Sequence, residues 1–245
     1  MTRIALLMCG VLAVMACDDK SREASPAASA SAKVEAEPPA PAQAPDLVVD
    51  NLSPKVGFTR VLLDKPQGKK KLSQEIDETR KHWEGQVVPL AVDRKAKVPW
   101  VVAMIDALDT AGAKGVKIKT PSRDEFPKEL HFVPQGKLEA PPPCTVVAMI
   151  LADRGTAVWK LAGGTASKRV KGFAGPDLSM TSKTLKRYLS GCKGSNKLLV
   201  SAADGIEWGL TYDLAAVAST IEKVEVGERV LLREPPIAGR PVKLE

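Results

Sequence analysis

Few side chains in this sequence are placed to do chemistry. The two histidines, His82 and His131, have no second histidine, cysteine or paired carboxylate at ligand spacing, so no metal site is expected. Asp93 and Asp204 each follow a strand-like run and could in principle work as an acid–base pair. Capping the turn after a strand accounts for both more simply. Gly163-Gly164 lacks the lysine and the spacing of a phosphate-binding loop, and no G-x-S-x-G or Ser/His/Asp arrangement can be assembled. The expectation is a protein that is not an enzyme, with no catalytic residue, no cofactor and no metal.

Binding chemistry is better represented. Lys168, Arg169, Lys171, Lys183, Lys186 and Arg187, with Lys193 and Lys197 nearby, form a basic cluster suited to an anionic polymer or a partner surface. An ordinary solvated face is the alternative reading. Trp83, Trp100 and Trp208 fall on apolar helical faces and read as core, whereas Trp159 is the tryptophan expected to be exposed.

The N-terminus decides the compartment. Arg3 is followed by the apolar run Ile4 to Met15 and then by Val14-Met15-Ala16-Cys17, which resembles the bacterial lipobox. The run is too short for a membrane span, which needs about 20 residues, and fits the core of a signal peptide. Residues 1–16 are therefore expected to be a cleaved lipoprotein signal, with Cys17 the lipidated first residue of the mature chain. Residues 17–45, rich in Ala, Pro, Ser and Glu, lack the apolar content needed to offset ordering entropy and read as a disordered tether. The domain is expected in the periplasm, lipid-anchored in the cell envelope. Asp18 resembles an inner-membrane retention signal whose meaning varies between bacterial groups, so either membrane stays open.

Export also frames the remaining cysteines. Cys9 leaves with the signal and Cys17 is acylated, which leaves Cys144 and Cys192 as an even pair and a disulfide as the default. The bridge would close a loop of about 50 residues, worth roughly 4 kcal/mol in the chain-entropy model. Formal net charge is +7 for the whole sequence, and the residues after 45 carry about +8, since the tether itself is acidic on balance. A basic domain held beside a membrane is drawn to anionic lipids and wall polymers. Export makes nucleic acid an improbable partner.

The elements that must position these groups come in two similar sets. In residues 46–120, Thr59 to Leu63 reads as a short strand. Leu72, Ile76, Thr79 and Trp83 follow as one helical face, then a strand over Val87 to Val92, a helix opened by Pro99 and Trp100, and a strand over Val116 to Ile118. Residues 121–143 read as a Pro-rich connector. In residues 144–245, strands over Thr145 to Leu151 and Ala157 to Leu161 flank the turn Asp153-Arg154-Gly155. A helix capped by Thr181 or Ser182 follows, then a strand over Leu198 to Ala203, a helix from Trp208 and a strand over Arg229 to Leu232. The run Val88–Asp93 matches Leu199–Asp204, and each is followed by a tryptophan opening a helix, which suggests an internal repeat. The predicted fold is α+β: two tandem units, each a small sheet with two helices packed on it.

The stretch Val88 to Thr120, VPLAVDRKAKVPWVVAMIDALDTAGAKGVKIKT, resembles the soluble domain of the ExbD/TolR biopolymer-transport family. In that family a strand ending in Ala-Asp leads to an aromatic opening a helix, then an Ala-Gly step and a strand of the Val-x-Leu-x-Thr type. Here those roles fall on Asp93, Trp100, Ala111-Gly112 and Val116 to Thr120. The second half shows the pattern through Asp204 and Trp208. The family has a transmembrane helix with a proton-handling aspartate where this chain has a lipoprotein signal, so the resemblance does not imply proton-driven work by this chain. It implies binding of partner proteins of the ExbB/ExbD or TolQ/TolR type, with the helices from Trp100 and Trp208 as contact faces. Peptidoglycan binding through the basic second half is the alternative.

Overall fold

Val87–Val92 alternates strictly between exposed and buried positions, as expected of a strand with one face on a core and the other open. It is strand β4, the centre of the first sheet, in a computed structural model that describes residues 44–138, 144–190, 196–224 and 226–244. The expected signal, Cys17 and the expected tether as far as Gln43 lie outside the described residues. Around β4 stand β1 (Leu47–Val49), β2 (Pro54–Val56), β3 (Thr59–Arg60), β5 (Gly115–Lys119) and β6 (Glu129–Phe132), in the order β3-β2-β1-β4-β5-β6. Helix α1 (Gly68–Glu78) links β3 to β4, and α2 (Val98–Thr110) links β4 to β5.

The second sheet holds β7 (Val146–Ile150), β8 (Thr156–Lys160), β9 (Ser167–Arg169), β10 (Asn196–Ala202) and β11 (Val226–Leu231), in the order β11-β10-β7-β8-β9. Helices α3 (Leu178–Leu189) and α4 (Trp208–Val217) provide its crossovers. The chain is thus α+β, with two mixed sheets and four helices among the described residues. Both sets belong to one compact unit, Gln43–Glu245. The stretch expected as a connector supplies β6, which pairs antiparallel with β5.

The two halves repeat one topology. In each, the first strand pairs antiparallel with the second and parallel with the fourth, the second pairs antiparallel with the third, and the fourth pairs parallel with the fifth. The repeat extends to single hydrogen bonds. Asp93 N–H donates to Val49 O at 2.8 Å, and Ala203 N–H donates to Ile150 O at 2.8 Å. Ala96 N–H then donates to Asp93 O, as Ile206 N–H does to Ala203 O, and the helices start after Lys97 and Glu207.

This register corrects the match drawn from the sequence by one residue. Val88, Leu90 and Val92 face the helices, and so do Leu198, Val200 and Ala202, so Asp93 corresponds to Ala203 and not to Asp204. Trp208 corresponds to Val98, and Trp100 to Leu210. The cause is that β10 is buried at every position, so its sequence carries no alternation to fix which residues face which way.

The main core runs through both halves, from Leu47 and Leu72 to Tyr212 and Leu231. A second core covers the other face of the second sheet, where Val147, Trp159, Leu199 and Val230 pack against Ala238, Val242 and Leu244 of the C-terminal segment. Trp159, expected to be exposed, is fully buried there, and its Nε1–H donates to Arg240 O at 2.9 Å. The segment that buries it has no regular structure and carries two prolines in succession, Pro235-Pro236, so its packing role had no periodic signal.

Local chemistry fixes the element ends. Helix α1 ends at Glu78, short of the Trp83 expected on its face; Trp83 follows a separate turn over Arg80–His82 and is held by its Nε1–H donating to Thr79 Oγ1 at 2.9 Å. Helix α3 is capped by Asp177, which accepts from Met180 N–H at 3.1 Å, and not by Thr181 or Ser182. Thr181 is buried instead, its hydroxyl 2.7 Å from that of Thr156 on β8. Asp50 closes the turn between β1 and β2 by accepting from Leu52 N–H and Ser53 N–H and, in bidentate fashion, from Arg60.

The Arg60 guanidinium holds the Asp50 carboxyl well below the usual carboxylate range, and the two backbone donors add to that effect. A depressed folded-state pKa means that Asp50 stabilises the fold in full above the ordinary carboxylate pKa and loses that contribution progressively as pH falls below it toward the depressed folded-state value. Asp50→Asn is expected to lower stability by about 1 kcal/mol at pH 7, the pair being partly solvated. Thermal unfolding from pH 7 down to pH 3 should show the two proteins converging toward acid pH, and a gap that widens there would contradict this account.

Candidate interaction surfaces

The halves are joined by the turn after β4 and the first turns of α4. Arg94 Nη1–H donates to Asp213 Oδ1 at 3.0 Å and Nη2–H to Asp213 Oδ2 at 2.8 Å, in the planar fork that guanidinium and carboxylate share. The Asp213 side chain is 1% exposed, and Arg123 Nε lies 3.4 Å from its Oδ2. Arg94 also donates to Pro121 O and Gly209 O, while its own carbonyl accepts from Gly209 N–H at 2.7 Å. Residue 209 must be glycine for this approach, because a Cβ there would sit 2.9 Å from Arg94 Cβ. Lys97 and Glu207, equivalent positions of the repeat, form an antiparallel bridge with each other. Such pairing of like with like is how two copies related by a two-fold axis meet.

Asp93 accepts from Lys95 N–H at 2.7 Å and closes its turn, as its sequence position suggested. Among the described residues no group of His, Cys, Asp and Glu could hold a metal ion, and no helix is long and apolar enough to cross a membrane. Cys144 is disulfide-bonded; its expected partner, Cys192, lies outside the described residues.

The open surfaces among the described residues include a groove, a cleft and a smaller depression. A groove of ≈ 600 Å³ lies along the outer face of the first sheet, with Val48, Val87, Pro89, Ala91, Lys117 and Lys119 among its lining residues. The equivalent face of the second sheet is the one filled by the C-terminal segment. A cleft of ≈ 630 Å³ opens where Arg123 and Phe126 of the first half meet Gly172, Pro176, Lys183 and Val217 of the second. A smaller depression of ≈ 350 Å³ lies beside α2, at the ion pair of Arg233 with Asp106, whose Nε–Oδ1 distance is 2.8 Å.

The basic cluster is brought together only in part. Lys171, Lys183, Lys186 and Arg187 are exposed, and none is in an ion pair among the described residues. Lys168 stands opposite Ala157, which belongs to the second core, so it emerges on the face of the sheet away from α3. Arg169 stands opposite Thr156 on the helix side, with its Nε buried and without a hydrogen-bond partner. Lys197 is buried and paired with Glu228 at 2.8 Å, which removes it from the surface, and Lys193 lies outside the described residues. Of the two helices expected as contact faces, α4 cannot serve, since all its residues except Leu210 are buried. Trp100 is likewise buried, with Lys97 Nζ 4.5 Å from its ring centroid.

The Arg94–Asp213 clamp had no signal in the sequence, since its partners are far apart in the chain and neither stands in a motif. The loop that carries Phe173 did leave one, the run Gly172-Phe173-Ala174-Gly175, which is polar at neither central position. Comparison with protein families, with curated proteins and with solved structures finds no match.

Proposed function

We propose that this chain is a non-enzymatic interaction module of the bacterial cell envelope, anchored by lipid at Cys17 and built from two tandem ExbD/TolR-like units. Its work is to assist a biopolymer-transport system of the ExbB/ExbD or TolQ/TolR type. The observation that carries this reading is the asymmetry of the repeat. One unit closes its outer sheet face with its own C-terminal segment, and the other leaves the same face open as a groove. Open apolar surface rimmed by charge is what a protein contact uses. Val87 and Pro89 point into that groove from β4, and both are exposed.

Cross-linking in intact envelopes followed by pull-down tests the proposal, with the sacculus fraction analysed apart from detergent-soluble proteins. Recovery of ExbB- or TolQ-like subunits is expected, reduced about tenfold by Ala91→Asp, which places an unpaired charge at the contact. The second reading, a tether on an anionic wall polymer, is favoured by the exposed Lys171, Lys183, Lys186 and Arg187, none of which is in an ion pair among the described residues. Recovery with the sacculus alone, insensitive to Ala91→Asp, would replace the first reading with the second.

A further inference from the structure

The loop between β9 and α3 joins exposed apolar side chains to a cluster of bases. Gly172 and Gly175 pair with each other, Gly172 N–H donating to Gly175 O at 2.7 Å, so that Phe173 and Ala174 form the tip of a small hairpin. Gly175 holds φ +125°, a backbone conformation that any side chain would strain, and this keeps the tip in shape. Phe173 is fully exposed, and Val170 at the base of the loop is 80% exposed. A lone exposed apolar residue needs no explanation, but a phenylalanine held at a hairpin tip beside a valine and a cluster of bases does.

The bases surround the tip. Lys171 adjoins it in sequence, and Lys183 lines the same cleft as Gly172, Ala174 and Gly175. Lys186 and Arg187 follow Lys183 by one helical turn on the exposed side of α3. The nearby carboxylates are Asp177, engaged in capping α3, and Glu125 across the cleft. A wall polymer or an acidic peptide would engage the bases and leave Phe173 in water. An anionic bilayer engages both, since bases are drawn to its headgroups while apolar tips enter the acyl boundary.

We infer that the Val170–Ala174 loop, with Lys171, Lys183, Lys186 and Arg187, is a docking surface for an anionic phospholipid membrane. It orients the domain on the bilayer, and this holds whether or not the groove on the first sheet binds a transport protein.

Residues 18–245 contain every residue of both cores and lack the signal and Cys17, so they isolate this surface from the lipid anchor. They are mixed with vesicles of phosphatidylglycerol and phosphatidylcholine, or of phosphatidylcholine alone, and sedimented. Binding is expected only where phosphatidylglycerol is present. Lys171→Gln and Lys183→Gln should each weaken it about fivefold, an effect that fades as salt is raised. Phe173→Ser should weaken it on the order of tenfold at every salt concentration.

Phe173→Trp supplies a local readout, because the native tryptophans are buried: its emission should shift to the blue on phosphatidylglycerol vesicles. An unchanged melting temperature in each variant is expected, since none of these side chains packs in a core. The inference is overturned if Phe173→Ser binds vesicles as tightly as the parent, or if the Phe173→Trp emission does not move. Sedimentation with sacculi in place of vesicles would likewise overturn it and assign the bases to the wall. Neither result bears on the pull-down with Ala91→Asp, so the two proposals fail separately.

Discussion

Arg94→Ala is expected to lower the unfolding free energy by about 3–5 kcal/mol, measured by urea denaturation at pH 7. The carboxylate of Asp213 is almost wholly withdrawn from water, and Arg94 supplies both hydrogen bonds that replace hydration there. Removing the guanidinium leaves a buried charge whose nearest remaining partner is Arg123 Nε at 3.4 Å. It also empties the space above Gly209 and removes donors from the carbonyls of Pro121 and Gly209. The cost is one of an uncompensated charge rather than of the pair as such, because pairing two buried ions barely offsets their desolvation. Replacing both partners together, as Arg94→Met with Asp213→Leu, should therefore recover most of the loss. If the double variant were as unstable as Arg94→Ala, the geometry of the clamp and not its charge would be what the fold depends on. A loss below about 1 kcal/mol for Arg94→Ala would mean that Arg123 alone can hold Asp213.

The elements surrounding this clamp differ in how far their sequences announce them. β4 is legible as an apolar run closed by the polar turn that starts at Asp93, and the expected bounds Val87–Val92 agree with the structure. Helix α2 is legible from Pro99 in its first turn and from Gly112 beyond its end, where φ is +92° and Ala113 N–H returns to Leu108 O. The hairpin of β7 and β8 follows from Asp153-Arg154-Gly155 between two apolar runs. β1 and β2, three residues each, are too short for any period to show, and β1 is the strand on which the whole repeat is registered.

Burial on both faces obscured the second sheet. Trp159 and Trp208 are both fully enclosed, but one is covered by an irregular terminal segment and the other by the opposite half of the molecule. Neither kind of cover is local. The basic cluster illustrates the same limit: the bases were visible as a list, but the pleat of β9 sends Lys168 and Arg169 to opposite faces. The charge of this surface stood out in the sequence, whereas the run Gly172-Phe173-Ala174-Gly175 beside it gave no sign that its two glycines pair.

Trp208→Ala should cost about 4 kcal/mol, within the range for emptying a fully buried tryptophan site, and should also change the form of the unfolding curve. Trp208 is packed at 5.9 Å between ring centroids against both Phe132 of the first half and Tyr212 of its own helix. Its indole Nε1–H donates to Thr120 Oγ1 at 2.8 Å, and its backbone N–H to Ala96 O at 2.8 Å. Every one of these partners except Tyr212 belongs to the first half, so the side chain is a peg of the second unit seated in the first. Tyr212 does similar work one turn later, its buried hydroxyl donating to Pro127 O at 2.9 Å. Emptying the Trp208 site weakens the contact between the units more than either unit's own sheet. The expected result is a transition that begins at lower urea and broadens, with the fluorescence of Trp83 and Trp100 reporting the first half and that of Trp159 the second. Trp208→Phe, which keeps most of the volume and loses the Thr120 bond, should cost about half as much and leave the transition single. Should Trp208→Ala unfold in one sharp step at a lower midpoint, the halves would have no independent stability. The repeat would then record how the chain is built without marking where it can come apart, and the clamp of Arg94 and Asp213 would act within one cooperative core.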